Sequence, residues 1–220
     1  MHLRQLTLAR TAIVVALVAF GGTAHAAGFP DPPAEPAAGA GSTQTAVLAG
    51  GCFWGMEGVF ERLKGVRDVV SGYAGGNAET AHYEMVSTGK TGHAESVRIT
   101  YDPSQISFGT LLKVFFSVAH DPTELNYQGP DRGTQYRSVI FYTSDAQKKT
   151  AESYIRTLDQ AGVFSEKIVT EVVPFKSFYP AEEEHQHFMD NNPDYPYIVF
   201  WDVPKVQALD TFYPELIAKR

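Results

Sequence analysis

Thr45–Gly65 reads TAVLAGGCFWGMEGVFERLKG, and the order of residue types in it sets the fold class. Thr45–Ala49 (TAVLA) is an apolar run of strand length, and Gly50-Gly51 breaks it. Phe53, Met56, Phe60 and Leu63 then recur at spacings of 3, 4 and 3, which is one face of a helix, and Gly65 ends it. Cys52 stands at the junction between strand and helix. It is the only cysteine in the sequence.

Downstream, strand and helix patterns alternate. Val66–Tyr73 reads as a strand closed by Gly75-Gly76. Ala94–Tyr101 (AESVRITY) is another, with Val97, Ile99 and Tyr101 on one face and Glu95 in phase with them. Phe108, Leu111, Leu112, Phe115 and Phe116 make the apolar stripe of a second helix. A polar loop over Asp121–Gln135 leads into a strand at Tyr136–Thr143. Ser144 and Gln147 then form a capping box for a helix carrying Ala151, Tyr154, Ile155 and Leu158 and stopping at Gly162. Lys167–Val173 reads as a strand and Ala181–Met189 as a short acidic helix. The order is βαββαβ with additions, which predicts an α+β two-layer sandwich.

Upstream lies a different kind of sequence. Arg4 and Arg10 precede the uncharged run TAIVVALVAF (Thr11–Phe20), and Ala24-His25-Ala26 gives a small-residue cleavage pattern. These are the three parts of a secretory signal peptide over residues 1–26, and the run is too short to span a bilayer. The expected location is therefore exported, periplasmic or secreted, with no stable membrane insertion after cleavage. Residues 27–44 (AGFPDPPAEPAAGAGSTQ) are rich in Pro, Ala and Gly without a hydrophobic period and read as a semi-extended linker that buries little. The folded domain is expected over 45–220.

Composition narrows the function. The chain has 220 residues, 44% of them hydrophobic, which is enough for one domain with a sizeable core. A formal charge of −7, falling to −9 when the two arginines leave with residues 1–26, argues against nucleic acid as a partner. One cysteine excludes an intrachain disulfide, a CxxC redox pair and a zinc site built on several thiolates. In an exported chain an unpaired cysteine is either a reactive thiol or a small buried hydrophobe. Its place at a helix N-terminus favours the reactive reading, because unpaired N–H groups and the helix dipole stabilise a thiolate. Phe53 and Trp54 beside it offer an apolar surface suited to a methyl or thioether group.

The residues around Cys52 resemble a known family. GCFWG (Gly51–Gly55) is similar to the signature of peptide methionine sulfoxide reductase A. Further blocks follow in that family's order: GMEGVFERLKGV (Gly55–Val66), GYAGG (Gly72–Gly76), TGHAESVRITYDP (Thr91–Pro103) and GTQYRS (Gly133–Ser138). The resemblance implies a ferredoxin-like core and reduction of methionine S-sulfoxide, free or in proteins, as a repair reaction after oxidative stress. It implies Cys52 as the nucleophile that becomes a sulfenic acid, and Glu95 as proton donor to the sulfoxide oxygen. Tyr83 and Tyr136 would hydrogen-bond that oxygen, Asp131 would orient substrate or water, Phe53 and Trp54 would hold the S-methyl group, and His185 would lie near the substrate entrance. Taken singly, Glu95 could be an exposed strand carboxylate and the tyrosines ordinary half-buried ones.

The sequence also departs from the family. Many members carry C-terminal cysteines that resolve the sulfenic acid; here Asn191–Tyr213 (NNPDYPYIVFWDVPKVQALDTFY) stands in their place. No bound cofactor is implied. An external thiol reductant, a thioredoxin-like protein or an equivalent, would regenerate Cys52 through a mixed disulfide, and a monomer suffices for this chemistry. His185 and His187 with Glu182–Glu184 hint at a metal site, but i and i+2 residues of a helix point about 200° apart, so none is expected. Two other classes remain open at this stage. One is a cysteine hydrolase or acyltransferase with His93 or His185 as base. The other is a non-enzymatic methionine-binding module.

Overall fold

The computed structural model describes residues 28–35 and 42–218. The leader expected at 1–26 lies outside them. The elements, in chain order, are β1 (Gln44–Ala49), α1 (Phe53–Phe60), β2 (Val66–Ala74), α2 (Tyr83–Val86), β3 (Ala94–Tyr101) and α3 (Phe108–Val114), which a π-helical turn extends over Phe115–Ala119. A small hairpin of β4 (Tyr127–Gln128) and β5 (Asp131–Arg132) follows, then β6 (Val139–Tyr142), α4 (Asp145–Ala161), β7 (Glu171–Pro174), β8 (Phe178–Pro180) and α5 (Phe188–Asn191). A π-helical turn at Ile198–Asp202 runs into α6 (Val203–Phe212). Among the described residues no helix is long and apolar enough to cross a membrane.

Six strands form one mixed sheet in the order β7-β6-β1-β3-β2-β8, antiparallel throughout except for the β6–β7 pair. Alternation divides the strands between two faces. Leu48, Val97, Ile99, Tyr101 and Tyr73 enter the large core shared with α1, α3 and α4. Val47, Ala49, Ala74, Ala94, Val139 and Phe141 form a smaller cluster on the other face. The sheet must curl. β7 and β8 are its two edges, yet only Phe175–Ser177 joins Pro174 to Phe178. That connection reaches at most about 14 Å, whereas five flat strand spacings span about 24 Å.

The α+β class and the four central strands follow the sequence reading, and the corrections fall at the edges. Ser144 Oγ accepts the Gln147 N–H at 3.2 Å as expected, but the Gln147 side chain reaches back to the Thr143 N–H, one residue earlier than a capping box requires. The strand expected at Tyr136–Thr143 begins only at Val139. Tyr136 closes a 3-10 turn that starts from Gly133 at φ 132°, and the Arg137 guanidinium is taken up by the carbonyls of Gly92, His93 and Thr134. The strand expected at Lys167–Val173 is confined to Glu171–Pro174, where β6 offers parallel partners. The helix expected at Ala181–Met189 does not form as one piece. The Gln186 side chain bonds the Ser71 N–H, the Ser71 carbonyl and the Ala181 carbonyl, and His187 stands at φ 50° between a turn (Glu183–His185) and α5. Tertiary hydrogen bonds to the β2 edge override helix propensity there.

Within residues 27–44, which read as a linker that buries little, the part at 28–35 is packed. Phe29 is buried with its ring edge-on to Phe164, the Tyr154 hydroxyl donates to the Pro30 carbonyl, and Asp31 pairs with Lys113. Glu35 accepts the Gly109 and Phe108 N–H groups at the first turn of α3. One aromatic anchor and one carboxylate cap suffice to hold a Pro-rich stretch whose composition argues against a core of its own.

Candidate active site

Two constraints fix the turn that carries Cys52. Gly51 has φ 92°, and a Cβ there would lie 2.5 Å from Gln128 Cγ; a Cβ on Gly50 would lie 2.8 Å from His120 Cγ. The chain can therefore leave β1 beside the β4–β5 hairpin and the end of α3 only as glycine. Cys52 follows as the N-cap of α1, with φ −57° and ψ 126°. Its thiol is buried, at 7% exposure. Burial pushes it well above the usual thiol range, the nearby carboxyl groups of Glu95, Asp202 and Asp131 add to this, and only the Trp54 N–H opposes them. The thiolate expected at the helix head is thus disfavoured: desolvation and negative neighbours outweigh the helix N-terminus.

The strand register brings Glu95 to the same place. It faces Tyr73 across β2–β3 and shares the helix-side face with Val97 and Ile99, so its side chain runs under the first turn of α1. There Oε2 accepts the Phe53 N–H at 3.2 Å. Only 2% of Glu95 is exposed, and burial raises its pKa to about 8 against the pull of the Phe53 N–H, with Asp131 adding to the rise. At neutral pH this carboxyl holds its proton and can donate it.

Three polar groups complete the centre. Tyr83 at the start of α2 and Tyr136 at the end of its 3-10 turn are half-buried. Both phenols are raised by burial first and then by Glu95, with Cys52 also acting on each, so both stay protonated donors. The Tyr83 N–H is fixed by Glu182, whose other oxygen accepts the Tyr73 hydroxyl. Asp131, on β5, accepts a short hydrogen bond from the Tyr197 hydroxyl; burial raises its pKa while Tyr197 and Lys205 lower it.

Aromatic rings wall the site. Trp54 stacks on Phe188 with centroids 3.8 Å apart and planes 10° apart, and meets Tyr195 and Tyr197 edge-on. Its indole N–H donates to His185 Nδ1 at 3.3 Å, and the His185 ring lies 5.3 Å from Phe53 and 4.4 Å from Tyr83. The eight residues singled out in the sequence therefore lie in one cluster. Sequence reasoning missed Phe188, Tyr195 and Tyr197 as ring partners. It also missed Asp202, which is fully buried, pairs with Lys205 at 3.0 Å and bears on the thiol. The one signal for Tyr195 and Tyr197 was the density of aromatics in YPYIVFW.

His93 does not offer a hydrolase its base. His93 Nδ1 accepts the Gly76 N–H and its Nε2 faces the Asn77 carbonyl at 2.9 Å, so both nitrogens are committed to backbone. His185 Nδ1 is taken by Trp54. Among the described residues no group of three or more His, Cys, Asp or Glu is placed to hold a metal ion.

The family model for peptide methionine sulfoxide reductase matches residues 44–215, most of the chain. The chain belongs to the peptide methionine sulfoxide reductase family. It is 57% identical over 178 residues to peptide methionine sulfoxide reductase MsrA 2 of Mesorhizobium japonicum, covering 81% of this chain and 91% of that one. It is 52% identical to MsrA 2 of Synechocystis, covering 79% and 81%. Among solved structures it is similar to reduced Mxr1 from Saccharomyces cerevisiae (TM-score 0.64, 36% identity, 74% of this chain and 91% of that one). It is also similar to methionine sulfoxide reductase A of Corynebacterium diphtheriae (TM-score 0.60, 35% identity, 74% and 86%). As a member of this family the chain is an oxidoreductase that reduces methionine sulfoxide by thiol chemistry, without a prosthetic group.

Proposed function

We propose that Cys52 Sγ attacks the sulfur of a methionine S-sulfoxide while Glu95 protonates the departing oxygen. The observation that carries this reading is the Glu95 carboxyl, buried under the first turn of α1, bonded to the Phe53 N–H and raised to about 8, one residue away from the N-cap that bears the thiol. A sulfoxide oxygen leaves only when it gains a proton, so a neutral acid beside the nucleophile is what the reaction needs. Tyr83 and Tyr136 donate to the same oxygen, Phe53 and Trp54 receive the S-methyl group, His185 holds the Trp54 indole, and Asp131, fixed by Tyr197, orients the substrate. The atoms balance: attack forms an Sγ–S bond, the oxygen protonated by Glu95 passes to Sγ as that bond breaks with its electron pair left on the methionine sulfur, and the thiol proton restores Glu95, so that a Cys52 sulfenic acid and methionine remain. Burial and the neighbouring carboxyls disfavour the thiolate, so the thiol gives up its proton as Sγ attacks.

With one cysteine in the sequence, an external thiol must close the cycle. It condenses with the sulfenic acid to a mixed disulfide and water, and a second thiol releases Cys52. A thioredoxin-like protein suits this step. The leader pattern at 1–26 supports export, to the periplasm or beyond; a monomer suffices for the chemistry, with oxidised proteins and free methionine sulfoxide as its substrates. The order β6-β1-β3-β2 and the antiparallel pairing of these four strands, with α1 and α3 as their crossovers, support a ferredoxin-like core to which β7 and β8 are additions. Turnover of methyl p-tolyl sulfoxide with dithiothreitol tests the assignment of Cys52. Cys52→Ser should abolish it and still bind substrate; a Ser variant that turns over would end the proposal.

A further inference from the structure

Glu57 has no part in the chemistry above, yet it is the one acid of α1 and it is buried. It is 1% exposed, and its neighbours along α1 are Met56 and Gly58. One oxygen, Oε2, accepts the backbone N–H of His187 at 2.8 Å. The other, Oε1, has no partner at hydrogen-bond geometry among the described residues; His187 Nδ1 is 3.9 Å from it, and the nearby Ser71 hydroxyl favours the Glu57 carboxylate. His187 stands at φ 50°, a left-handed conformation uncommon for a residue with a side chain, and the bonds around it hold it there. The residues on either side of it are the ones that hold Trp54: His185 accepts its indole N–H and Phe188 stacks on its face. Gln186 fixes this stretch to Ser71 on β2. The stretch 185–188 is thus pinned at three points, Gln186 to the sheet, the His187 N–H to Glu57 and the His187 ring to Glu61 at 3.2 Å.

We propose that Glu57 is a positioning residue for the sulfoxide pocket, holding the left-handed turn at His187 so that His185 and Phe188 clasp the Trp54 indole. This rests on the reading of Trp54 as the methyl-binding wall. Glu57 never meets the substrate. Its effect therefore belongs in binding, and the chemical step keeps its own groups. A carboxylate is a stronger acceptor than a carboxylic acid, so the anchor depends on the charge of Glu57. Burial raises its pKa to about 7, Glu61 adds to the rise, and His187 lowers it. The other charged groups facing this corner are Asp190 of α5, which acts on His187, and Arg62, which bonds both Glu61 and Asp190. As pH falls through about 7, Glu57 takes up a proton, the bond to the His187 N–H weakens and the wall loosens.

The experiment measures the dissociation constant of a peptide containing methionine S-sulfoxide on the Cys52→Ser protein, where no chemistry intervenes. Binding is read by tryptophan fluorescence from pH 6 to pH 8. Binding should weaken several-fold from pH 8 to pH 6. Adding Glu57→Gln should keep the acceptor but remove this pH dependence, holding affinity near the low-pH value. Adding Glu57→Ala should weaken binding about tenfold at pH 8, the loss of one hydrogen bond to a charged group. With Cys52 present, Glu57→Gln should leave the single-turnover rate at saturating substrate within about twofold. Ala affinity equal to that of the parent, or a weakening of binding toward pH 6 that survives Glu57→Gln, would overturn the proposal; protonation of Glu95 near pH 8 acts in the opposite direction and remains in the variant. Absence of any binding by Cys52→Ser alone would instead remove the pocket reading on which it stands.

Discussion

Glu95→Gln separates the two things the buried carboxyl does. Glutamine keeps the shape of the protonated acid and retains an oxygen for the Phe53 N–H, which lies 3.2 Å from Glu95 Oε2. What it removes is the titration. The folded carboxyl has a pKa near 8 against a reference of 4.5, so between these values the folded state holds a proton that the unfolded chain has released. Stability of the parent protein should therefore be unaffected by this group below about pH 4.5 and fall by about 1.4 kcal/mol per pH unit up to pH 8. Relative to the glutamine variant the parent loses about 3 kcal/mol by pH 7 and about 5 kcal/mol by pH 9. Urea unfolding of both proteins at intervals from pH 5 to pH 9 measures the difference directly, because other groups that titrate cancel between them. A difference that stays flat across this range would refute the claim that burial holds Glu95 protonated. The kinetic counterpart is opposite in sign. Single-turnover reduction should slow by about 10² to 10⁴ in the variant. The parent's rate should descend as pH rises through about 8, a limb the variant lacks.

Other perturbations probe separate parts of the account. Tyr197→Phe deletes the hydroxyl that donates to Asp131; kcat/KM should fall about tenfold with stability little changed, and an unchanged kcat/KM would show that Asp131 needs no such support. Gly51→Ala places a side chain at φ 92° against Gln128. Displacement of the Cys52 turn should reduce turnover at least about tenfold and cost about 2 kcal/mol, whereas activity within twofold of the parent would contradict the constraint. Phe29→Ala tests the packed stretch at 28–35: chemical denaturation should show a loss of about 3 kcal/mol with kcat unchanged, and a loss under about 0.5 kcal/mol would return this stretch to a tether.

The parts of the fold legible in the sequence are those whose signal is local. TAVLA followed by two glycines, and the alternation in AESVRITY, locate β1 and β3 within a residue of their ends, and the Phe53–Phe60 period locates α1. The edges were not legible because their form is set from outside. β7 exists where β6 offers partners, and 181–189 gives up a helix to bonds between Gln186 and Ser71. The packed role of Phe29 was hidden in a Pro-rich stretch, since one buried ring leaves no period. In the site, Cys52, Glu95, Tyr83, Tyr136 and Asp131 were legible through the resemblance of whole blocks, and the phase of Glu95 with Val97 and Ile99 already set its face. The state of the thiol was not. A cysteine at a helix head reads as a thiolate until the burial of its surroundings and the carboxyls of Glu95 and Asp202 are in view. Asp202 and Tyr197 come from a stretch with no motif, and only the path of α6 and its preceding turn brings them there.

The central claim is that the single thiol takes the oxygen from the substrate. One turnover of each methionine sulfoxide epimer without reductant, followed by intact-mass and peptide analysis, tests it. The S epimer should yield one equivalent of methionine per protein and leave one added oxygen on the peptide holding Cys52, which dithiothreitol then removes; the R epimer should yield neither. Methionine released with no oxygen gained at Cys52, or equal consumption of both epimers, would contradict the account.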